Sequence, residues 1–314
     1  MTRHKNIIAI KTFFCIFIVL FCSCKSVNNT HNPYENLTII NYGNNTAYEF
    51  LNDKSDKLVI FIDGTRWCSV LGWKEGDNWG ELSSSKFFLD IFRENTNFMI
   101  PERLNMQIGK FYLYNPDMRR NYTLENLVAS YSFVINTYLN RRDFSSVIII
   151  GHSEGASLLP LIYKNVEKKD KITGMIAISY GGLSVYEQVK ILADSELNIP
   201  DYYREACQNI DALKMEIKSY PNSLGEIMGY TYGWWNSFLD YRPYDYYADI
   251  NIPILFIHGK LDITVPVEST KYIQENLPGK PFDYVYIDNA DHSFSLHESA
   301  EELSKSITNW VNGR

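Results

Sequence analysis

Val147-Ile-Ile-Ile-Gly151-His152-Ser153-Glu154-Gly155-Ala156 is the stretch that decides how this chain of 314 residues folds. Four β-branched apolar residues in a row make a strand covered on both faces. Gly-x-Ser-x-Gly then turns the chain, and residues 154–166 continue as a helix. Such a turn between a strand and a helix lifts the serine hydroxyl clear of the sheet. Glycine is required at 151 and 155 because a side chain there would meet the neighbouring strand and helix. The helix N-terminus behind Ser153 favours negative charge developing beside it. The competing reading is a structural turn whose serine caps the helix, and the strand before it and helix after it argue against that.

Working outward, strands and helices alternate. Short β-branched or aromatic runs stand at 37–42, 47–51, 58–62, 110–114, 147–150, 171–179, 253–258 and 282–287. Helical stretches occupy 84–94, 123–139, 154–166, 268–276 and 297–310. Alternation of this kind predicts an α/β fold, a mostly parallel, doubly wound sheet of eight strands with helices on both faces. The first two strands are separated by a short turn and are expected to pair antiparallel. Two segments break the rhythm. Residues 64–109 carry Trp67, Trp73 and Trp79, and residues 183–249 run long before the next strand. Excursions of that length are usually functional. The second, with a helix expected over 202–219, reads as a helical cap insertion lined by Tyr230, Trp234 and Trp235.

Two more loops complete the pattern. Ile254-Leu-Phe-Ile-His-Gly259-Lys-Leu-Asp262-Ile-Thr-Val-Pro266 is a strand, a Gly-x-x-Asp turn and a proline-started helix. Further on, a strand leads into Asn289-Ala-Asp-His292-Ser-Phe294. With the Gly-x-Ser-x-Gly turn these resemble the α/β-hydrolase superfamily, its esterases, dienelactone hydrolases and prolyl oligopeptidases included, over 37–314. The resemblance implies Ser153 as nucleophile, His292 as base and Asp262 orienting the base. His297 is a rival for the base but stands where the last helix begins, and Asp291 is expected to point elsewhere. It also implies two oxyanion donors, the N–H of Glu154 and one from Phe61-Ile-Asp63-Gly64-Thr65-Arg66-Trp67, at Thr65 or Arg66. Many relatives have His-Gly there, so Asp63 departs from the pattern. Arg66 either touches an acidic substrate group, pairs with Asp63 or stays solvated.

The expected chemistry is hydrolysis of a carboxylic ester through an acyl-enzyme, without metal or organic cofactor. A serine peptidase or aminopeptidase of the prolyl-oligopeptidase kind shares the same residues, and a thioesterase or a non-catalytic surface-binding lipoprotein are further alternatives. A net charge of -7 argues against nucleic acid as a partner. Apolar and charged shares of 45% and 21% are those of a globular domain able to bury a core without staples.

The N-terminus has the form of an export signal: Arg3, His4, Lys5 and Lys11 precede a short apolar run from Phe13 to Cys22. That run is well below the roughly 20 residues that span a bilayer. Phe21-Cys-Ser-Cys24 resembles a bacterial lipoprotein processing site, with Phe21 and Cys22 departing from it. The expectation is a signal over 1–24, a lipidated Cys24 in the membrane and a polar tether over 25–36; plain secretion and an uncleaved anchor are the alternatives. Cys68 and Cys207 either form one disulfide or are separate buried thiols.

Overall fold

The computed structural model describes residues 34, 36–66, 68–72, 74–75, 78–79, 84–106, 116–227 and 229–313. The signal and Cys24, most of the tether, and the strand expected over 110–114 lie outside the described residues. Eight strands form one sheet: β1 (Thr38–Tyr42), β2 (Asn45–Phe50), β3 (Lys57–Ile62), β4 (Asn97–Pro101), β5 (Ser146–His152), β6 (Ile172–Ile178), β7 (Ile254–Gly259) and β8 (Phe282–Ile287). Their order is β1-β2-β4-β3-β5-β6-β7-β8. β2 pairs antiparallel with β1 and β4, and every other neighbouring pair is parallel.

The unbroken apolar runs follow from the two-residue period of a strand covered on both sides. Leu58, Ile60, Ile62, Val147 and Ile149 face one core, under helices α3 (Leu124–Arg141) and α4 (Glu154–Asn165). Their neighbours Val59, Phe61, Ile148 and Ile150 face the other, against α1 (Ser84–Phe92) and α11 (His297–Asn312). A short helix, α2 (Pro116–Asn121), precedes α3, whose N-terminus is capped by the Thr123 hydroxyl.

One strand departs from the sequence reading. Residues 64–109 are not a single excursion, because Asn97–Pro101 forms β4 and pairs with both β2 and β3. Its five residues are all buried, and it ends on a proline, which lacks the N–H a central strand donates. Proline at the strand end hides this strand from a periodicity argument.

The insertion between β6 and β7 holds α5 (Val185–Asp194), α6 (Asp201–Gln208), α7 (Ile210–Ser219), a small hairpin of Glu226–Ile227 with Tyr230–Thr231, α8 (Tyr232–Phe238) and α9 (Tyr244–Tyr247). The helix expected over 202–219 is therefore two helices. They part at Asn209, whose φ of -92° and ψ of 9° end one and start the next. After that segment α10 (Glu268–Asn276) crosses from β7 to β8. Chain order and spatial order diverge at β3: β4 lies on one side of it and β5 on the other. In open α/β sheets the crevice at such a switch point, beyond the strands' carboxyl ends, is where ligands bind.

Candidate active site

Ser153 sits directly beyond the end of β5, with φ of 53° and ψ of -122°. A non-glycine residue at positive φ is strained, and here close packing enforces it. A Cβ on Gly155 would stand 2.1 Å from the Ile62 carbonyl oxygen, and one on Gly151 would stand 2.6 Å from the Ala156 Cα. Only glycine permits β3, β5 and α4 to approach this closely. The Ser153 N–H is tied to the Ile178 carbonyl of β6 at 2.8 Å.

The loop after β8 brings His292 Nε2 to 2.8 Å from Ser153 Oγ. His292 Nδ1 donates to Asp262 Oδ2 at 2.7 Å. The other Asp262 oxygen accepts the Thr264 and Val265 N–H groups, both at 2.8 Å. The three residues singled out in the sequence thus form one hydrogen-bonded line. Burial pushes the Asp262 carboxyl up, but the facing His292 and the bonds from His258 and His292 outweigh it and hold it well below the carboxylate range. Burial pulls the His292 imidazole down, and the Asp262 carboxylate overrides this, so its pKa is raised. His297 is not part of the line; it is 85% exposed and faces Glu301. Asp291 accepts from Ser293 and Ser295 within its own loop.

Three residues around this line left little trace in the sequence. The His292 carbonyl takes the His152 Nε2 at 3.0 Å and the Ser179 hydroxyl at 2.9 Å. Ser179 has φ of 55° at the end of β6 and is fully buried, so its strain serves this contact. Burial, then the nearby His292, pulls the His152 pKa down to about 4. His152 is therefore neutral at pH 7 and donates through Nε2. His258, also fully buried, bonds the Val265 carbonyl at 2.9 Å and stands 3.3 Å from Asp262 Oδ2.

The loop after β3 lies against the serine. A Cβ on Gly64 would stand 2.9 Å from Ser153 Cβ. Asp63 turns inward, accepting from the Gly64 N–H at 2.8 Å, Ser84 Oγ at 2.6 Å and Arg66 Nε at 2.9 Å. Arg66 is paired with Asp63, one of the three readings the sequence left open. Cys68 and Cys207 are buried and are not joined in a disulfide. Trp234 and Trp235 are 7% and 4% exposed, so they pack in the core and only Tyr230 of the expected lining is half-buried.

The serine hydrolase (FSH1) family model matches residues 106–295, which contain Ser153, Asp262 and His292. The chain belongs to that family. The serine hydrolase is similar in fold to Est1E from Butyrivibrio proteoclasticus, with a TM-score of 0.57 and 17% identity over 89% of this chain and 98% of that one. The Francisella virulence factor BioJ is similar too, at a TM-score of 0.57 and 16% identity over 98% and 96% of the two chains. The acylaminoacyl peptidase of Pyrococcus horikoshii is matched over 86% of this chain and 40% of its own, at 12% identity and a TM-score of 0.54. No curated protein sequence matches the chain. Family and sheet order together place this serine hydrolase in the α/β-hydrolase superfamily, the fold class expected from the sequence.

Proposed function

We propose that this serine hydrolase cleaves carboxylic esters through an acyl-enzyme on Ser153. The observation that carries the reading is the unbroken line from Ser153 Oγ through both nitrogens of His292 to the buried Asp262. A serine hydroxyl is a weak nucleophile until a neighbouring base takes its proton. His292 accepts that proton through Nε2 and returns it to the leaving alcohol. Asp262 holds Nδ1–H and stabilises the imidazolium between those steps. The N–H groups of Glu154 and of Thr65, in the loop beside the serine, receive the oxyanion. Water then attacks the acyl carbonyl with His292 again as base, releasing the acid.

A fluorophosphonate probe tests the nucleophile: the expected adduct is on the Ser153 peptide and is absent from Ser153→Ala. An adduct elsewhere, or ester turnover by Ser153→Ala near the wild-type rate, rejects the assignment. A panel of esters, thioesters and aminoacyl amides tests the bond. Faster amide than ester cleavage would replace the esterase reading with a peptidase one.

The Ser23-Cys24 leader supports a second proposal, that the protein is exported and anchored in a bacterial membrane by a lipidated Cys24. Mass spectrometry of the mature N-terminus should find that lipid, and Cys24→Ser should release active protein into the soluble fraction. An unmodified N-terminus on the wild type would end the anchoring proposal.

A further inference from the structure

Two ionisable residues lie wholly inside the protein directly after β4: Glu102 and Arg103 are 0% and 1% exposed. Burying such groups is costly unless they are hydrogen-bonded. Glu102 is amply bonded. Its Oε1 accepts the Arg103 N–H at 2.9 Å and the Val70 N–H at 3.2 Å, and its Oε2 accepts the Tyr48 hydroxyl at 3.1 Å and the Ser69 hydroxyl. It thus ties the far end of the loop after β3 to β2 and to its own neighbour. Arg103 turns to the near end of that loop, where its Nη2–H donates to the Gly64 carbonyl. Its Nε and Nη1 meet no hydrogen-bond partner among the described residues. A guanidinium cannot shed its charge, and orphaned donors in a core are rare enough to need a reason. Stability is a poor one, because an apolar side chain of similar volume would leave no orphans.

The bonded carbonyl supplies the reason. Gly64 C=O and Thr65 N–H belong to one planar peptide, and among the described residues no peptide is cis. In a trans peptide the two groups point in opposite directions. Anchoring the carbonyl in the core therefore aims the Thr65 N–H the other way. Gly64 itself stands against the nucleophile: a Cβ there would lie 2.9 Å from Ser153 Cβ and 3.2 Å from the His152 carbonyl oxygen. The preceding peptide is fixed too, because Asp63 Oδ1 accepts the Gly64 N–H at 2.8 Å. Burial pushes the Asp63 carboxyl up, but Arg66 and then Arg103 more than offset it, so this acceptor is ionised at neutral pH. Gly64 is held by an anion at its N–H and by a cation at its carbonyl. A cation on the carbonyl also polarises the peptide and strengthens its N–H as a donor.

We propose that Arg103 is a positioning residue for the oxyanion: its guanidinium fixes and polarises the Gly64–Thr65 peptide, which makes the Thr65 N–H, and not that of Arg66, the second donor. This rests on the esterase reading, in which that loop faces the oxyanion on an acyl group at Ser153. Being buried, Arg103 reaches the substrate only through this peptide. Its benefit falls on the transition state, where the substrate oxygen has become negative and meets the donors.

The test uses the full chain with Arg103→Met, which fills the space but removes the charge and the donors. It should lower kcat for a short ester on the order of ten-fold, with KM changed by less than about two-fold. It should weaken a trifluoromethyl ketone, which forms the oxyanion, by the same factor. Arg103→Gln, whose donor falls two bonds short, should lose as much, and it carries the test if the methionine variant does not fold. Arg103→Lys, which returns a charged donor, should recover most of both losses. Circular dichroism at the assay temperature checks that the variants compared are folded. An unchanged kcat in a folded variant, a loss in KM alone, or a ketone affinity that does not follow kcat overturns the proposal. So does a lysine variant no better than the glutamine one. Failure of the esterase reading shows separately, as no Ser153 adduct on the wild type.

Discussion

The Tyr247 hydroxyl donates at 3.4 Å to the carbonyl of Ala156, the one carbonyl of α4 whose helical partner is missing because residue 160 is proline. Tyr241 donates to the next carbonyl of the helix, that of Ser157, at 2.7 Å. Tyr247 of the insertion thus completes the backbone of the helix that carries Ser153 at its start, and Tyr241 adds a second bond to it. The tyrosines clustered between 230 and 247 have a structural use here, since a ring fills apolar space while its hydroxyl satisfies a buried carbonyl. Tyr247→Phe should destabilise the protein by about 1 kcal/mol in urea titration. In a Pro160→Ala background, where the helix regains its N–H, the same substitution should cost less. An equal cost in both backgrounds would mean that the hydroxyl is not replacing the missing donor.

Gly155→Ala should be far more damaging than Gly43→Ala. At Gly155 the added carbon would stand 2.1 Å from backbone oxygen, with a strand and a helix that cannot part. Its cost should be about 3 kcal/mol or more, seen as a fall in melting temperature or loss of soluble protein. Gly43 has open space and only a φ of 67°, so alanine there should cost about 1 kcal/mol. Comparable melting curves for the two variants would refute the close approach of α4 to β3.

His152 should make the fold sensitive to acid. Its pKa is depressed to about 4 in the folded protein, against roughly 6.5 in an unfolded chain. Above pH 6.5 or so both states are neutral and the ring contributes no pH dependence. Below it the unfolded state takes up a proton that the fold refuses, and stability falls until the pH nears 4. Between pH 6.5 and 5 the loss from this ring is about 2 kcal/mol. Urea titrations of His152→Asn at pH 7 and pH 5 should show a smaller decline than the wild type. Parallel declines would place the acid sensitivity on other groups.

The pH–rate profile should report His292. In the proposed mechanism His292 is the general base and works neutral, and Asp262 raises its pKa, so kcat/KM should climb with pH through a midpoint above roughly 6.5. Asp262→Asn removes the carboxylate that causes the rise. The midpoint should then move down while the rate falls on the order of 10⁴-fold, since the ring loses its tautomer control. A midpoint unmoved by that substitution would show that a different group governs the profile.

What the sequence determined alone was local. The β-branched run ending in Gly151-His152-Ser153-Glu154-Gly155 dictates a strand, a forced turn and a helix within a few residues. Gly259 to Asp262 and Asn289 to His292 are equally short signals, so the three side chains of the hydrogen-bonded line were legible with their order. The tertiary structure decided what joins distant parts of the chain. His152 and Ser179 reach the His292 carbonyl across 140 and 113 residues, and Trp234 reaches Glu154 across 80. A bond of that span leaves no period and no spacing behind, and any donor of suitable length can make it. β4 was hidden for a related reason: a short strand ending in proline gains its pairing from β2 and β3, not from its own residues. Glu154 shows the division most clearly, because its backbone place follows from the motif while its carboxyl meets Tyr122 and, from the insertion, Trp234 only in the folded chain.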